Sequence, residues 1–171
     1  MISVRDEKLY RDLSALRNHG RYEDERDVST VAGFNMRMPE INAAVGCVQL
    51  RHMPEWIERR REVARIYDEE LQGVGDLVLP VERSWGKHVY YLYVVRSSQR
   101  DGLQKFLRDR GIASGVHYRV PAHRMPYIEK APDLPVTDRI VDEILSLPMH
   151  PLLSGEEQEE IIGAVREFYG G

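Results

Sequence analysis

The sequence has 171 residues, 42% of them apolar and 30% charged, which is enough chain for one hydrophobic core and excludes a disordered polyelectrolyte. A net charge of −4 excludes nucleic acid as the main partner, because phosphate backbones are held by basic surfaces that displace counterions. Cys47 is the single cysteine, so no disulfide forms within the chain, and no run approaches the ~20 apolar residues that span a bilayer.

A cytoplasmic location follows as the expectation, with no membrane and no nucleic acid among the partners. Residues 2–4 read as the end of a strand. Residues 7–17 read as a helix with Leu9, Leu13 and Leu16 on one face, stopped by Gly20. The charged stretch 21–31 predicts a solvated, mobile loop. Pro39 suits a first helical turn, and Ile41, Ala44, Val45, Val48 and His52 recur at helical spacing. Within that pattern Cys47 is expected to be a buried small hydrophobe. Pro54 predicts a break or kink, followed by a helix over 55–72 with Trp56, Val63, Tyr67 and Leu71 as its apolar stripe and Gly73 as its stop. Arg59, Arg60 and Arg61 stand among Glu55, Glu58 and Glu62 at pairing distance on that helix, which makes them a solvated face.

The run 88–95, β-branched and aromatic, predicts the central strand of a small sheet, with 77–79 and 112–116 as its neighbours. Residues 100–110 predict a helix with Leu103, Phe106 and Leu107 inward, ended by Gly111. Another helix is expected over 135–145, and the capping-box pattern Ser154-x-x-Glu157 opens a last one with Ile161, Val165 and Phe168 on one face. The class is α+β: a small antiparallel or mixed sheet of about three strands covered by helices.

One stretch carries more than fold. The run from Gly33 through Asn35, Arg37, Met38, Glu40, Ala43, Ala44 and Gly46 to Gln49-Leu50 resembles the G-x-N-x-R-M-x-E-x-x-A-A-x-G-x-x-Q-L signature of the DegT/DnrJ/StrS sugar aminotransferases, which depend on pyridoxal phosphate. Leu16-Arg17-Asn18-His19-Gly20, Gly115-Val116-His117-Tyr118 and Ser146-Leu147-Pro148-Met149-His150-Pro151 keep that family's order. The resemblance spans nearly the whole chain and corresponds to the C-terminal half of a fold-type-I enzyme. It implies a large-domain tail and mobile loop over 1–37, and a C-terminal small domain over 38–171 that includes the Pro-kinked helix pair. The implied complete enzyme is a homodimer that moves an amino group from an amino acid, usually glutamate, to a keto-sugar nucleotide. A branch of the same family dehydrates sugars with histidine in place of the cofactor lysine, and a non-catalytic binding or dimerisation domain is the alternative outside catalysis.

No catalytic residue is assigned. The chemistry needs a lysine that the cofactor aldehyde can bond, and the resemblance places it upstream; Lys8, Lys87, Lys105 and Lys130 have no matching context. The chain alone is therefore expected to be catalytically incomplete and to bind pyridoxal phosphate weakly or not at all. Asn35 matches the family asparagine that reaches a neighbouring subunit's cofactor phosphate, a task suited to an amide that donates without adding charge; capping the following helix is its other possible role. Arg37 could grip a carboxylate or diphosphate bidentately or form a structural ion pair. His117 and Tyr118 match the family's pair at the substrate entrance. Arg119 stands where a proline is more usual, and with Arg124 it could reach a nucleotide diphosphate. His117 and His123 lack a third ligand at diagnostic spacing, so no metal is assigned. His19 and His150 are expected to be structural, and Met36, Met38, Tyr90, Tyr91 and Tyr93 to serve packing.

Overall fold

The computed structural model describes residues 2–24 and 27–170, so Glu25 and Arg26 of the expected loop lie outside the described residues. Its backbone divides into two compact units, Met1–Arg51 and His52–Gly171. The first holds α1 (Glu7–Arg17), and α2 (Glu40–Leu71) runs from the first unit into the second. The second continues with β1 (Tyr93–Arg96), α3 (Arg100–Asp109), a 3-10 turn (Ala122–Arg124), α4 (Pro135–Glu143), β2 (Ile144–Leu147) and α5 (Gly155–Phe168).

α1 starts where Asp6 accepts a hydrogen bond from the Leu9 amide at 2.7 Å, satisfying one of the donors that a helix start leaves open. Of its expected apolar face Leu9 and Leu16 are exposed and Leu13 is half-buried, and Ala15 is its buried residue. α2 corrects the expected break at Pro54. It is one helix of 32 residues with the proline inside it, about 48 Å long at the usual rise. Proline removes a single amide donor from the ladder, and the turns on either side keep the helix continuous. The buried residues of α2 are Val63, Ala64, Tyr67 and Leu71, all in its second half.

The α+β class holds, with a smaller sheet than expected. β1 and β2 pair antiparallel with Tyr93 opposite Leu147, Val94 opposite Ser146, Val95 opposite Leu145 and Arg96 opposite Ile144. The segments 77–79 and 112–116 join only through the single bridges Val78 to Arg96 and Gly115 to Ser146. The expected strand begins only at Tyr93, because Tyr90 turns the backbone at φ 45° and its amide donates to His88 Nδ1 at 2.9 Å. Residues 144 and 145, expected as a helix end, open β2 instead. Their apolar run suits either state, and pairing with β1 decides it.

Around this sheet α2, α3 and α5 bury Tyr67, Leu71, Leu103, Leu107, Ile161 and Val165 against Tyr93, Val95, Leu145 and Leu147. Burial of side chains of this size is worth ~1.5–3 kcal/mol each, which makes this cluster the main source of the unit's stability. Two polar side chains of this core are paired with backbone carbonyls. Tyr67 donates to the Pro148 carbonyl at 3.0 Å, and buried Gln158 donates to the Val63 carbonyl at 2.8 Å. Tyr90 and Tyr93 pack in the core as expected, but Tyr91, Met36 and Met38 are exposed and pack against nothing that buries them.

Candidate functional site

Two of the quoted motifs meet at the end of α1. Asn18 N–H caps back to the Ala15 carbonyl at 2.9 Å, and the Gly20 amide reaches the same carbonyl at 2.8 Å. Gly20 does so at φ +75°, and a Cβ there would lie 1.7 Å from the Val31 carbonyl oxygen. A Cβ on Gly33 would lie 2.1 Å from the Gly20 nitrogen, so the two glycines let the chain cross itself. Across that crossing the Phe34 amide donates to the Leu16 carbonyl at 2.8 Å, the His19 amide to the Phe34 carbonyl at 2.9 Å, and the Met36 amide to the Arg17 carbonyl at 2.9 Å. Asn18 and Asn35 form a bridge. The glycines in the two motifs are thus one structural device, and it fixes the backbone on either side of Asn35.

Asn35 is not a helix cap, because α2 begins only at Glu40. Its side-chain oxygen accepts from Arg37 Nε at 3.2 Å, which leaves the amide NH2 as the end that can donate elsewhere. Both residues are exposed. Arg37 makes no ion pair with a carboxylate among the described residues. It lines a cleft of about 600 Å³ together with Arg11, Arg17, Arg21, Tyr10 and Tyr22. Arg11 is paired with Asp24 at 3.0 Å, and Tyr22 donates to Asp12 at 2.8 Å. Arg17 and Arg21 escaped the sequence reading; the signal was arginine on either side of the Asn18-His19-Gly20 turn.

The second cluster belongs to the other unit. Gly115 exchanges both backbone hydrogen bonds with Ser146 of β2, at 3.0 and 2.7 Å. A Cβ on Gly115 would lie 2.6 Å from His117 Cε1, so the glycine lets the imidazole fold back over the bridge. There His117 Nδ1 sits 3.0 Å from the Ser146 hydroxyl. The Tyr118 ring stands edge-on to the imidazole at 5.6 Å, and the tyrosine itself is exposed. The structure therefore brings His117 and Tyr118 together and Asn35 and Arg37 together, each pair in its own unit.

Other expectations change. Arg119 donates to Asp101 at 3.1 Å and Arg124 to Asp138 at 2.6 Å, so both guanidinium groups are held by carboxylates of this chain. Those pairs hold Asp101 and Asp138 below the usual carboxylate range, with Arg119 and Arg124 respectively as the largest cause. His123 also contacts Asp138, at 2.9 Å, so the two histidines have different partners. Among the described residues no group of His, Cys, Asp and Glu is arranged to hold a metal. Cys47 is exposed rather than buried, and the buried residues of α2 all lie in its second half.

A model of the DegT/DnrJ/EryC1/StrS aminotransferase family matches residues 1–166. The chain is 37% identical over 175 residues to the pleiotropic regulatory protein of Geobacillus stearothermophilus, covering 99% of this chain and 46% of that protein. It is 35% identical over 178 residues to the dTDP-3-amino-3,4,6-trideoxy-alpha-D-glucose transaminase of Micromonospora megalomicea subsp. nigra, covering 99% of this chain and 47% of that protein. The crystal structure of a DegT DnrJ EryC1 StrS aminotransferase from Brucella abortus superposes with a TM-score of 0.90 at 34% identity, over 98% of this chain and 45% of the other. The chain spans about half the length of the relatives it matches. With its signature run, its two clustered motifs and its fold all in agreement, the chain belongs to the DegT/DnrJ/EryC1/StrS aminotransferase family.

Proposed function

We propose that this chain is the C-terminal part of a pyridoxal-phosphate-dependent enzyme that moves an amino group, from glutamate as the donor, to a keto-sugar nucleotide. The single observation that carries this is the disposition of Asn35. With its oxygen taken by Arg37, its NH2 is free to donate to an anion, and the backbone on both sides is pinned by the Gly20–Gly33 crossing. What pyridoxal phosphate supplies when bound is the ring and aldehyde on which amino groups are exchanged. The part of this chain is binding: Asn35 donates to the phosphate of the cofactor held by a neighbouring subunit, as in a homodimer, and Arg37 draws the anionic substrate. His117 and Tyr118 contact the sugar or its carrier. The transaminase name of the Micromonospora relative supports the substrate class. Residues 1–37 read as the tail of the large domain and 38–171 as the small domain. A cytoplasmic location is part of this proposal; no helix among the described residues is long and apolar enough to cross a membrane.

Asn35→Ala, made in an assembly that includes the family's N-terminal half, is expected to weaken cofactor affinity about ten- to a hundredfold, the effect of losing a charge-assisted hydrogen bond. Asn35→Asp is expected to weaken it further, because a carboxylate repels phosphate. Cofactor titration followed by absorbance measures both, and unchanged affinity in both variants rejects the assignment. A second reading, a non-catalytic dimerisation domain, is favoured by one observation: Ile41, Val45 and Val48 are 73%, 52% and 53% exposed on one stretch of α2. It predicts self-association with no cofactor response in any assembly.

A further inference from the structure

We infer that Ser146 is a positioning residue for His117, fixing the imidazole through Nδ1 so that Nε2 is the ring nitrogen offered to the substrate. The inference rests on His117 standing at the substrate entrance. Ser146 is 4% exposed and lies in β2 between the buried leucines Leu145 and Leu147. A hydroxyl in such a strand loses its water, so it needs a partner inside the protein. Its backbone groups are already engaged with Gly115, and its Oγ has His117 Nδ1 at 3.0 Å.

The same contact decides what the imidazole can do. Among the described residues no carboxylate forms an ion pair with His117, and its side-chain hydrogen-bond partner is the serine. A hydroxyl can donate to a bare Nδ1, which leaves the proton on Nε2, or accept from Nδ1–H, in the neutral Nδ1–H tautomer as in the protonated ring. In each case the serine occupies Nδ1 and leaves Nε2 for another partner. Gly115 completes the arrangement, since any side chain there would push the ring off the hydroxyl. Two motifs far apart in sequence, Gly115-Val116-His117 and Ser146-Leu147-Pro148, thus form one unit.

The test has a spectroscopic arm and a kinetic arm. In the ¹⁵N-histidine-labelled chain, the His117 ring is expected to show one dominant tautomer. Ser146→Ala and Gly115→Ala should each shift it toward the mixed pattern of a solvent-exposed imidazole, and Ser146→Thr should restore it. An unchanged His117 pattern in both disrupting variants overturns the inference, and the use of two variants covers the case in which one fails to fold. In an assembly with aminotransferase activity, Ser146→Ala is expected to raise KM for the keto-sugar nucleotide about three- to tenfold with kcat nearly unchanged, the effect of one hydrogen bond. Adding Ser146→Ala to His117→Gln should then raise KM no further, because residues acting through one contact are not additive. Additive losses overturn the inference. A changed tautomer with a KM indifferent to His117→Gln overturns instead the placement of His117 at the substrate entrance.

Discussion

The amide of Asn35 has two ends of opposite hydrogen-bonding character, and Arg37 occupies one of them. That selection was not legible in the sequence, where capping and phosphate contact stood open. The gap of residues between Asn35 and Glu40 closes the first of these. The glycines around it were legible as motif letters but not as a physical contact. Gly33 carries no left-handed backbone angle of its own; it is required by the nearness of Gly20. Gly33→Ala is therefore expected to destabilise the first unit by about 2 kcal/mol or more, because a backbone atom rather than a flexible side chain is in the way. Gly46→Ala serves as the control, since nothing lies within 4 Å of a Cβ there. Thermal melts of the two variants should differ by several degrees, and equal melts would show that the crossing is loose.

At the scale of elements, the amphipathic helices were legible and the sheet was not. Leu103 and Leu107 in α3, and Ile161 and Val165 in α5, repeat with helical spacing and are buried as that spacing requires. The stretches 88–95 and 144–147 have no clear period, so the choice between strand, turn and helix fell to contacts far away in sequence. Tyr90 and Ser146 show this best. A left-handed tyrosine delays the start of the strand, and a serine in an apolar run marks where β2 meets Gly115. One polar tie holds these elements in acid-sensitive fashion. Burial raises the pKa of Asp76, but hydrogen bonds from the Ser98 and Ser97 hydroxyls, the Tyr169 hydroxyl and the Ser98 amide outweigh it and bring the group down to about 2. A carboxyl depressed in the folded state stabilises above its unfolded pKa and loses that contribution as pH falls through the folded value. Stability of the second unit should thus decline between about pH 4 and pH 2. Asp76→Asn should melt lower than the unaltered chain at pH 6 and converge with it near pH 2; parallel curves across that range would mean that Asp76 contributes nothing.

At the scale of the whole molecule, the sequence foresaw an uncovered helix face, and the structure leaves Ile41, Ala44, Val45 and Val48 exposed. It did not foresee that the same helix would run unbroken past Pro54 into the core of the second unit, because a proline is a local signal and the burial of Tyr67 and Leu71 is not. An apolar patch of a few hundred Å² is enough to drive association. The chain is expected to self-associate with rising concentration, and Val45→Glu should shift sedimentation toward the monomer. Val136→Glu, a change at an exposed valine of α4, should not. Identical sedimentation of all three would locate the contact elsewhere.

The Gly20–Gly33 crossing has a consequence for how such a protein could diversify. Hydrogen bonds from the Thr30 and Val31 amides to the Gly20 carbonyl, at 2.9 and 3.3 Å, close the base of the segment between the two glycines. What is knotted at its base can be re-cut above it. The segment carries Arg21, Tyr22, Glu23 and Asp24, which form one wall of the cleft, while Asn35 stands on the far side of the tie. Replacing that wall would exchange one shape and charge for another without moving the amide. Under the function proposed above, anchorage and discrimination sit on separable pieces of backbone, and loop grafts between relatives are expected to change ligand preference while leaving the proposed phosphate contact of Asn35 as it was.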